Sequence, residues 1–282
     1  MIYEKVIVIG SGKIASDCLD ILSGYTDSVA AIEHEKHLLS AVKTTCSKKN
    51  IEYSFIESRE VLENYLLDLP GRTLVVSANN NFIFAEPILQ KPEIKIINFH
   101  NALLPSHRGR NAPTWAIYEM DELTGITWHE VSGGVDEGNI IIQRKIPIDS
   151  KTTALMLTRK CMEMGSEAFR ECIKSVLDDS YGSQAQDEKL AGDMHNSRSV
   201  PNDGILDLAW PIDKISAFLR SLDYGALEIL PKPRINLLGN GYMIDKYVLK
   251  DREKARCEGI AIDEDGNIVC TSGETSILMK IK

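Results

Sequence analysis

Val6-Ile7-Val8-Ile9, followed by Gly10-Ser11-Gly12 and Lys13-Ile14-Ala15, is the stretch that decides the fold class. Four consecutive apolar residues with no polar alternation describe a strand buried on both faces, the habit of a parallel sheet. The glycines mark a tight turn, and apolar residues over 14–22 then recur at helical spacing. Working outward, residues 29–32 repeat the strand pattern. Residues 38–48 predict a helix with Leu39, Val42 and Cys46 on one side. Strands follow at 74–76 and 94–98, with helical segments at 61–67 and 85–89 between them. Short apolar strands alternating with helices imply a doubly wound α/β core with a mainly parallel sheet. Residues 126–131 and 140–148, joined by a Gly-rich link, predict an antiparallel hairpin at the sheet edge, and 152–177 a long closing helix.

Residues 178–200 are polar and rich in Ser, Gly, Gln and Asp, which reads as a linker. Beyond it come a short amphipathic helix at 211–222 and, from Arg234, apolar stretches separated by Gly-Asn-Gly, Asp-Glu-Asp-Gly and Ser-Gly turns. The expectation is a core over 1–185 and a smaller β-rich, barrel-like domain over 200–282.

Composition excludes several classes. Of 282 residues 43% are apolar and 26% charged, the mixture of a globular protein. No apolar run approaches the roughly 18 residues that span a bilayer, and the short run before Gly10 reads as a strand rather than a signal peptide. Cys18, Cys46, Cys161, Cys172, Cys257 and Cys270 lie far apart, without CxxC or zinc-spaced histidines, so reduced thiols in a cytoplasmic protein are expected. The formal net charge of -9 argues against a long polyanion such as tRNA, whose binding depends on Lys and Arg displacing counterions.

Three stretches can carry chemistry. Asn98 and His100, two apart at the end of an apolar strand, point to the same side, and ligands of open α/β sheets bind beyond the carboxyl ends of strands. The plain alternative is a strand terminus whose polar side chains satisfy loose backbone groups. Arg108, Gly109 and Arg110 lie in a turn-rich loop, where an arginine either grips a phosphate or carboxylate or is simply solvated. Asp136 stands among Gly133, Gly134 and Gly138, which serve either a ligand approach or a turn. Separately, Gly10-Ser11-Gly12-Lys13-Ile14-Ala15 has the G-x-G-x-x-A form of a dinucleotide loop, with Glu33 about 20 residues on. That supports a competing reading, an NAD-dependent dehydrogenase.

Asn98-Phe99-His100, Leu103-Leu104-Pro105, Arg108-Gly109, Gly125-Ile126-Thr127-Trp128-His129 and Gly134-Val135-Asp136-Glu137-Gly138, taken together and in this order, resemble the folate-dependent formyltransferase family. The resemblance runs from Met1 to about Leu177 and continues more faintly through 203–207 and 215–222. It implies a Rossmann-like core, 10-formyltetrahydrofolate as co-substrate, no metal, and transfer of a formyl group to a primary amine. It implies Asn98, His100 and Asp136 as the catalytic trio. It also implies that Asn81, Phe82, Ile83 and Phe84, with Ser132, Gly133, Gly134 and Val135, line the pterin pocket. Arg108, Gly109 and Arg110, with Gly10 and Gly12, are then the acceptor-side candidates.

The residue types suit the reaction. As the amine attacks, charge develops on the formyl oxygen, and a hydrogen bond from Asn98 to it is worth ~3 kcal/mol when preorganised. His100 can move the proton, and Asp136 would orient His100 and raise its pKa; which of the two is the base is open. Methionyl-tRNA formyltransferases carry a basic insertion after the second strand, whereas Glu33-His34-Glu35-Lys36-His37 runs straight on here. Initiator tRNA is therefore disfavoured. The expected acceptor is a nucleotide-linked amino sugar or a carrier-tethered aminoacyl group, with methionyl-tRNA the lesser alternative and a silent binding module a further one.

Overall fold

A computed structural model describes residues 1–251 and 259–282; Cys257 lies outside the described residues. Two compact units emerge: one made of residues 1–109, 125–146 and 160–194, the other of 110–124, 147–159 and 195–282.

The first unit is built on a seven-stranded sheet of order β3-β2-β1-β4-β5-β6-β7. Its strands are β1 (Lys5–Gly10), β2 (Val29–Glu33), β3 (Glu52–Phe55), β4 (Thr73–Ala78), β5 (Ile94–His100), β6 (Leu123–Glu130) and β7 (Ile140–Pro147). The first five pair in parallel and β6 runs antiparallel to β5, so the doubly wound architecture read from the apolar runs is what the chain adopts. The connecting helices are α1 (Gly12–Leu22), α2 (Ala41–Lys49), α3 (Arg59–Leu67) and α4 (Glu86–Leu89). Most of α6 (Ala154–Leu177) also belongs to this unit, whereas α5 (Ala112–Tyr118) belongs to the second.

Two local readings change. The helix expected over 38–48 begins only at Ala41: Ser40 caps it by accepting from the Lys43 backbone N–H at 2.8 Å, and Leu38 and Leu39 are left exposed. Strand β3 has no continuous apolar run, because it is an edge strand of partly exposed residues.

Gly10 shows how tightly the centre of the sheet is built. A Cβ there would sit 1.8 Å from the Ala78 carbonyl oxygen, and its φ is +156°. The glycine is thus required by the approach of β4, with no phosphate needed to explain it.

In the second unit, β8 (Ile205–Leu206), α7 (Ile212–Ser221), β9 (Arg234–Leu237), β10 (Asn240–Asp251), β11 (Gly259–Ile262), β12 (Ile268–Ser272) and β13 (Thr275–Ile281) make a six-stranded sheet, order β11-β12-β13-β10-β9-β8, with α7 packed on it. Phe218, Leu219, Ile235, Ile277 and Met279 fill its core. In the same unit, His195 stacks flat on Trp115 with ring centroids 3.6 Å apart. A half-apolar imidazole gains more against an indole face than in water. Among the described residues no helix is long and apolar enough to cross a membrane.

Candidate active site

Strands β4, β5 and β6 end side by side in the first unit, and their last residues build a polar cluster. Asn98 on β5 is directly opposite His129 on β6, and Ser77 on β4 pairs in register with Asn98. The Ser77 hydroxyl donates to Asn98 Oδ1 at 2.7 Å, which fixes the amide orientation and turns Nδ2 toward β6. There it donates to His129 Nε2 at 3.1 Å and, more weakly, to Asp136 Oδ1 at 3.4 Å. His129 can accept at Nε2 because Nδ1 faces the Glu130 carbonyl oxygen at 2.7 Å, and a carbonyl only accepts.

Asp136 arrives from the loop after β6, in a left-handed conformation with φ 56°. Its Oδ2 accepts the Gly109 backbone N–H at 2.8 Å and lies 3.4 Å from His100 Nδ1; its Oδ1 lies 3.4 Å from His129 Nε2. Gly109 itself has φ +92°, which a side chain would strain, so the glycine is what lets its N–H turn to the carboxylate. The trio expected from the sequence is therefore gathered on one carboxylate. His129, which carried no assigned role in the sequence, is a fourth member. Its signal was the cross-strand register, visible only once β5 and β6 are paired.

The electrostatics follow from burial. His100 Nε2 faces the carbonyl oxygen of His107 at 2.9 Å and must carry a proton there. Burial lowers the His100 pKa below the ordinary histidine value, and the Asp136 charge opposes that only in part. Asp136 does pull this pKa upward, as expected, but desolvation outweighs the attraction and the net shift is downward. At neutral pH Nδ1 is thus bare and open to a proton. For Asp136, burial pushes the pKa upward, but His100, His129 and the Gly109 N–H together overcome it and hold the carboxyl well below its usual range.

The other expected residues divide. Phe82 and Phe84 pack into the core with Ile88 and Ile96, whereas Asn81 and Ile83 project outward, Asn81 bonding to Glu35. Ser132, Gly133 and Val135 lie on the exposed part of the Asp136 loop, with Gly134 half-buried. Arg110 is exposed, its backbone N–H bonded to the His195 carbonyl. Arg108 is buried and already matched, because its two terminal nitrogens reach the Glu188 carboxylate at 3.0 and 2.7 Å and Gln186 Oε1 at 2.7 Å. Gly12 sits at the start of α1 with φ +69°. Glu33 is closed off by burial: its Oε2 takes hydrogen bonds from Ser40 at 2.6 Å and Tyr53 at 2.8 Å, and its Oε1 is shut away from solvent. A dinucleotide-binding acid must offer its oxygens to a ribose, so the geometry gives the dehydrogenase reading no support.

Comparison with known proteins points the same way. A formyl transferase family model matches residues 19–173, more than half of the chain. A methionyl-tRNA formyltransferase of Desulfotalea psychrophila is 30% identical over 231 residues, 78% of this chain and 70% of the relative. In fold, the chain is similar to an N-formyltransferase of Helicobacter canadensis solved with folinic acid and dTDP-3-aminofucose, at TM-score 0.78 and 18% identity over 99% of each chain. It is equally similar to the sugar 3N-formyltransferase WlaRD, solved in the presence of dTDP and 5-N-formyl-THF, at TM-score 0.77 and 18% identity over 100% and 98% of the two chains. With its β5 and β6 ends arranged around Asp136 and the family model matched across the same segment, the chain belongs to the formyl transferase family and is a formyltransferase.

Proposed function

We propose that the chain transfers the formyl group of 10-formyltetrahydrofolate to the primary amine of a nucleotide-linked amino sugar, with Asn98, His100 and Asp136 as the catalytic residues. The observation that carries this reading is the convergence of Asn98, His100 and His129 on the buried Asp136 carboxylate. The amine nitrogen attacks the formyl carbon, a new C–N bond forms, and negative charge gathers on the formyl oxygen. Asn98, held by Ser77, turns one of its N–H groups from the long Asp136 contact to that oxygen. The bare Nδ1 of His100 takes the proton from the amine, and the imidazolium formed is paired with Asp136. That proton then passes to the folate nitrogen as its bond to the formyl carbon breaks. Asn81, Ile83 and the 132–135 loop form the exposed rim for the pterin, with Phe82 and Phe84 as the core behind it.

In this proposal residues 1–185 carry the chemistry and 200–282 form a supporting domain. The acceptor side comprises Arg108, Gly109 and Arg110, with Gly10 and Gly12. The net charge of -9 and the lack of a basic insertion after β2 support a small acceptor over tRNA. The test is a screen with 10-formyltetrahydrofolate in which release of tetrahydrofolate is followed with dTDP-3-aminofucose, an aminoacyl-pantetheine and methionyl-tRNA. Fastest turnover is expected with the amino sugar; methionyl-tRNA as the best acceptor would overturn the assignment.

A further inference from the structure

The polar segment 178–200 does more than link. Gln186, half-buried, uses its whole amide. Its Nε2 donates to the backbone carbonyls of Asp136 at 2.7 Å and Gly138 at 2.8 Å, and its Oε1 accepts from Arg108 at 2.7 Å. One side chain therefore joins the backbone of the Asp136 loop to the guanidinium of Arg108. Arg108 lies between His107, whose carbonyl faces His100, and Gly109, whose N–H bonds the Asp136 carboxylate. The strap is itself tethered, through the paired backbones of Gln184 and Ile140 and through the Glu188 carboxylate on Arg108.

We propose that Gln186 is a positioning residue of the transfer site, a crossbrace that sets the distance between the Asp136 carboxylate and the His100 ring. Asp136 sits in a left-handed conformation on a largely exposed loop; its carboxylate takes one short bond, from the Gly109 N–H, and longer contacts with Asn98, His100 and His129, while the Gln186 amide holds its backbone carbonyl. A shift of about 1 Å in such a group is enough to cost two orders of magnitude in rate. Two partly buried amide bonds to carbonyls resist that shift better than one long side-chain contact would. The relevance to catalysis rests on the proposed roles of His100 and Asp136; the brace itself does not.

The test therefore reads geometry without an acceptor. In protein labelled with 13C-histidine, the His100 ring is titrated by NMR in the whole chain and in Gln186→Met, a variant of similar length that keeps no N–H donor. The groups facing His100 are Asp136, His129 and His107. Loss of the brace lets Asp136 drift from the ring, so the His100 midpoint is expected to fall by about half a pH unit or more. Gln184→Ala, on the same strap but bonded through its backbone, should leave the midpoint at the wild-type value. Thermal unfolding of both variants within about 2 °C of wild type separates this effect from a general loss of structure. An unchanged His100 midpoint in Gln186→Met, or an equal fall in Gln184→Ala, would overturn the proposal. If Gln186→Met unfolds, Gln186→Leu with Glu188→Gln as its control repeats the measurement. A confirmed midpoint shift alongside an active His100→Asn enzyme would sink the catalytic reading and leave the brace standing.

Discussion

The same sheet offers two polar strand ends, and they differ in what their groups still have to give. At the ends of β1 and β2, Gly10 is demanded by the Ala78 carbonyl and the Glu33 carboxylate is taken up by Ser40 and Tyr53. Gly10 and the bonded Oε2 of Glu33 are thus accounted for by the fold's own packing. At the ends of β5 and β6, two histidine rings, an amide and a backbone N–H meet on one carboxylate, and one ring nitrogen remains bare. Strand ends collect polar residues for both structural and chemical reasons. What separates the two cases is convergence: Glu33 has one oxygen bonded and the other buried without a partner, whereas His100 and His129 both reach the Asp136 carboxylate.

Breaking the comparison is easiest at His100. His100→Asn should keep the fold and lower kcat for formyl transfer by about 10²–10⁴, the usual contribution of a positioned acid–base group. Since burial lowers the wild-type His100 pKa and the proposed mechanism uses the neutral ring, the acidic limb of kcat/KM should fall below pH 6.5. A limb above that value would place the essential proton elsewhere.

Asp136→Asn sharpens the contrast through stability. Its folded pKa is depressed, so its ionised form stabilises the fold fully above the unfolded value near 3.8, and that contribution fades as pH falls toward the folded pKa. The unfolding free energy of wild type minus variant, measured from pH 5 downward, should therefore shrink below about pH 4. A difference that stays constant from pH 5 to pH 3 would mean the carboxylate gains nothing from its partners.

Glu33→Gln should do least to activity. Its kcat/KM is expected within about threefold of wild type, while stability drops by roughly 1–3 kcal/mol because the new amide N–H₂ replaces a buried oxygen that has no partner in the fold. A large loss of activity without loss of stability would restore a ligand role to the β2 end.

How much of this was legible follows from the range over which each signal acts. Strands β1, β2, β4 and β5 announce themselves because strands buried on both faces carry runs of apolar residues. The edge strand β3 carries no such run and passed unseen. Asn98 and His100 were readable from their spacing of two, a local property. Asp136 was readable only through the family resemblance, since its meeting with His100 depends on a chain that folds back over the intervening residues 101–135. His129 depends on the β5–β6 register, and Gln186 on a strap that looked like plain linker; neither leaves a short-range mark. The depressed His100 pKa was missed for a related reason: a sequence shows the neighbouring acid, but the amount of water excluded from the ring belongs to the folded chain.

The most direct test of where the chemistry lies is chemical-shift mapping with 5-formyltetrahydrofolate, a stable relative of the donor, on 15N- and 13C-histidine-labelled protein. The account predicts that saturating ligand moves the His100 and His129 ring signals and the backbone amides of Gly109 and residues 132–136, and leaves those of Gly10, Gly12 and Glu33 in place. Perturbations centred on Gly10, Gly12 and Glu33, with the two histidine rings unmoved, would contradict it.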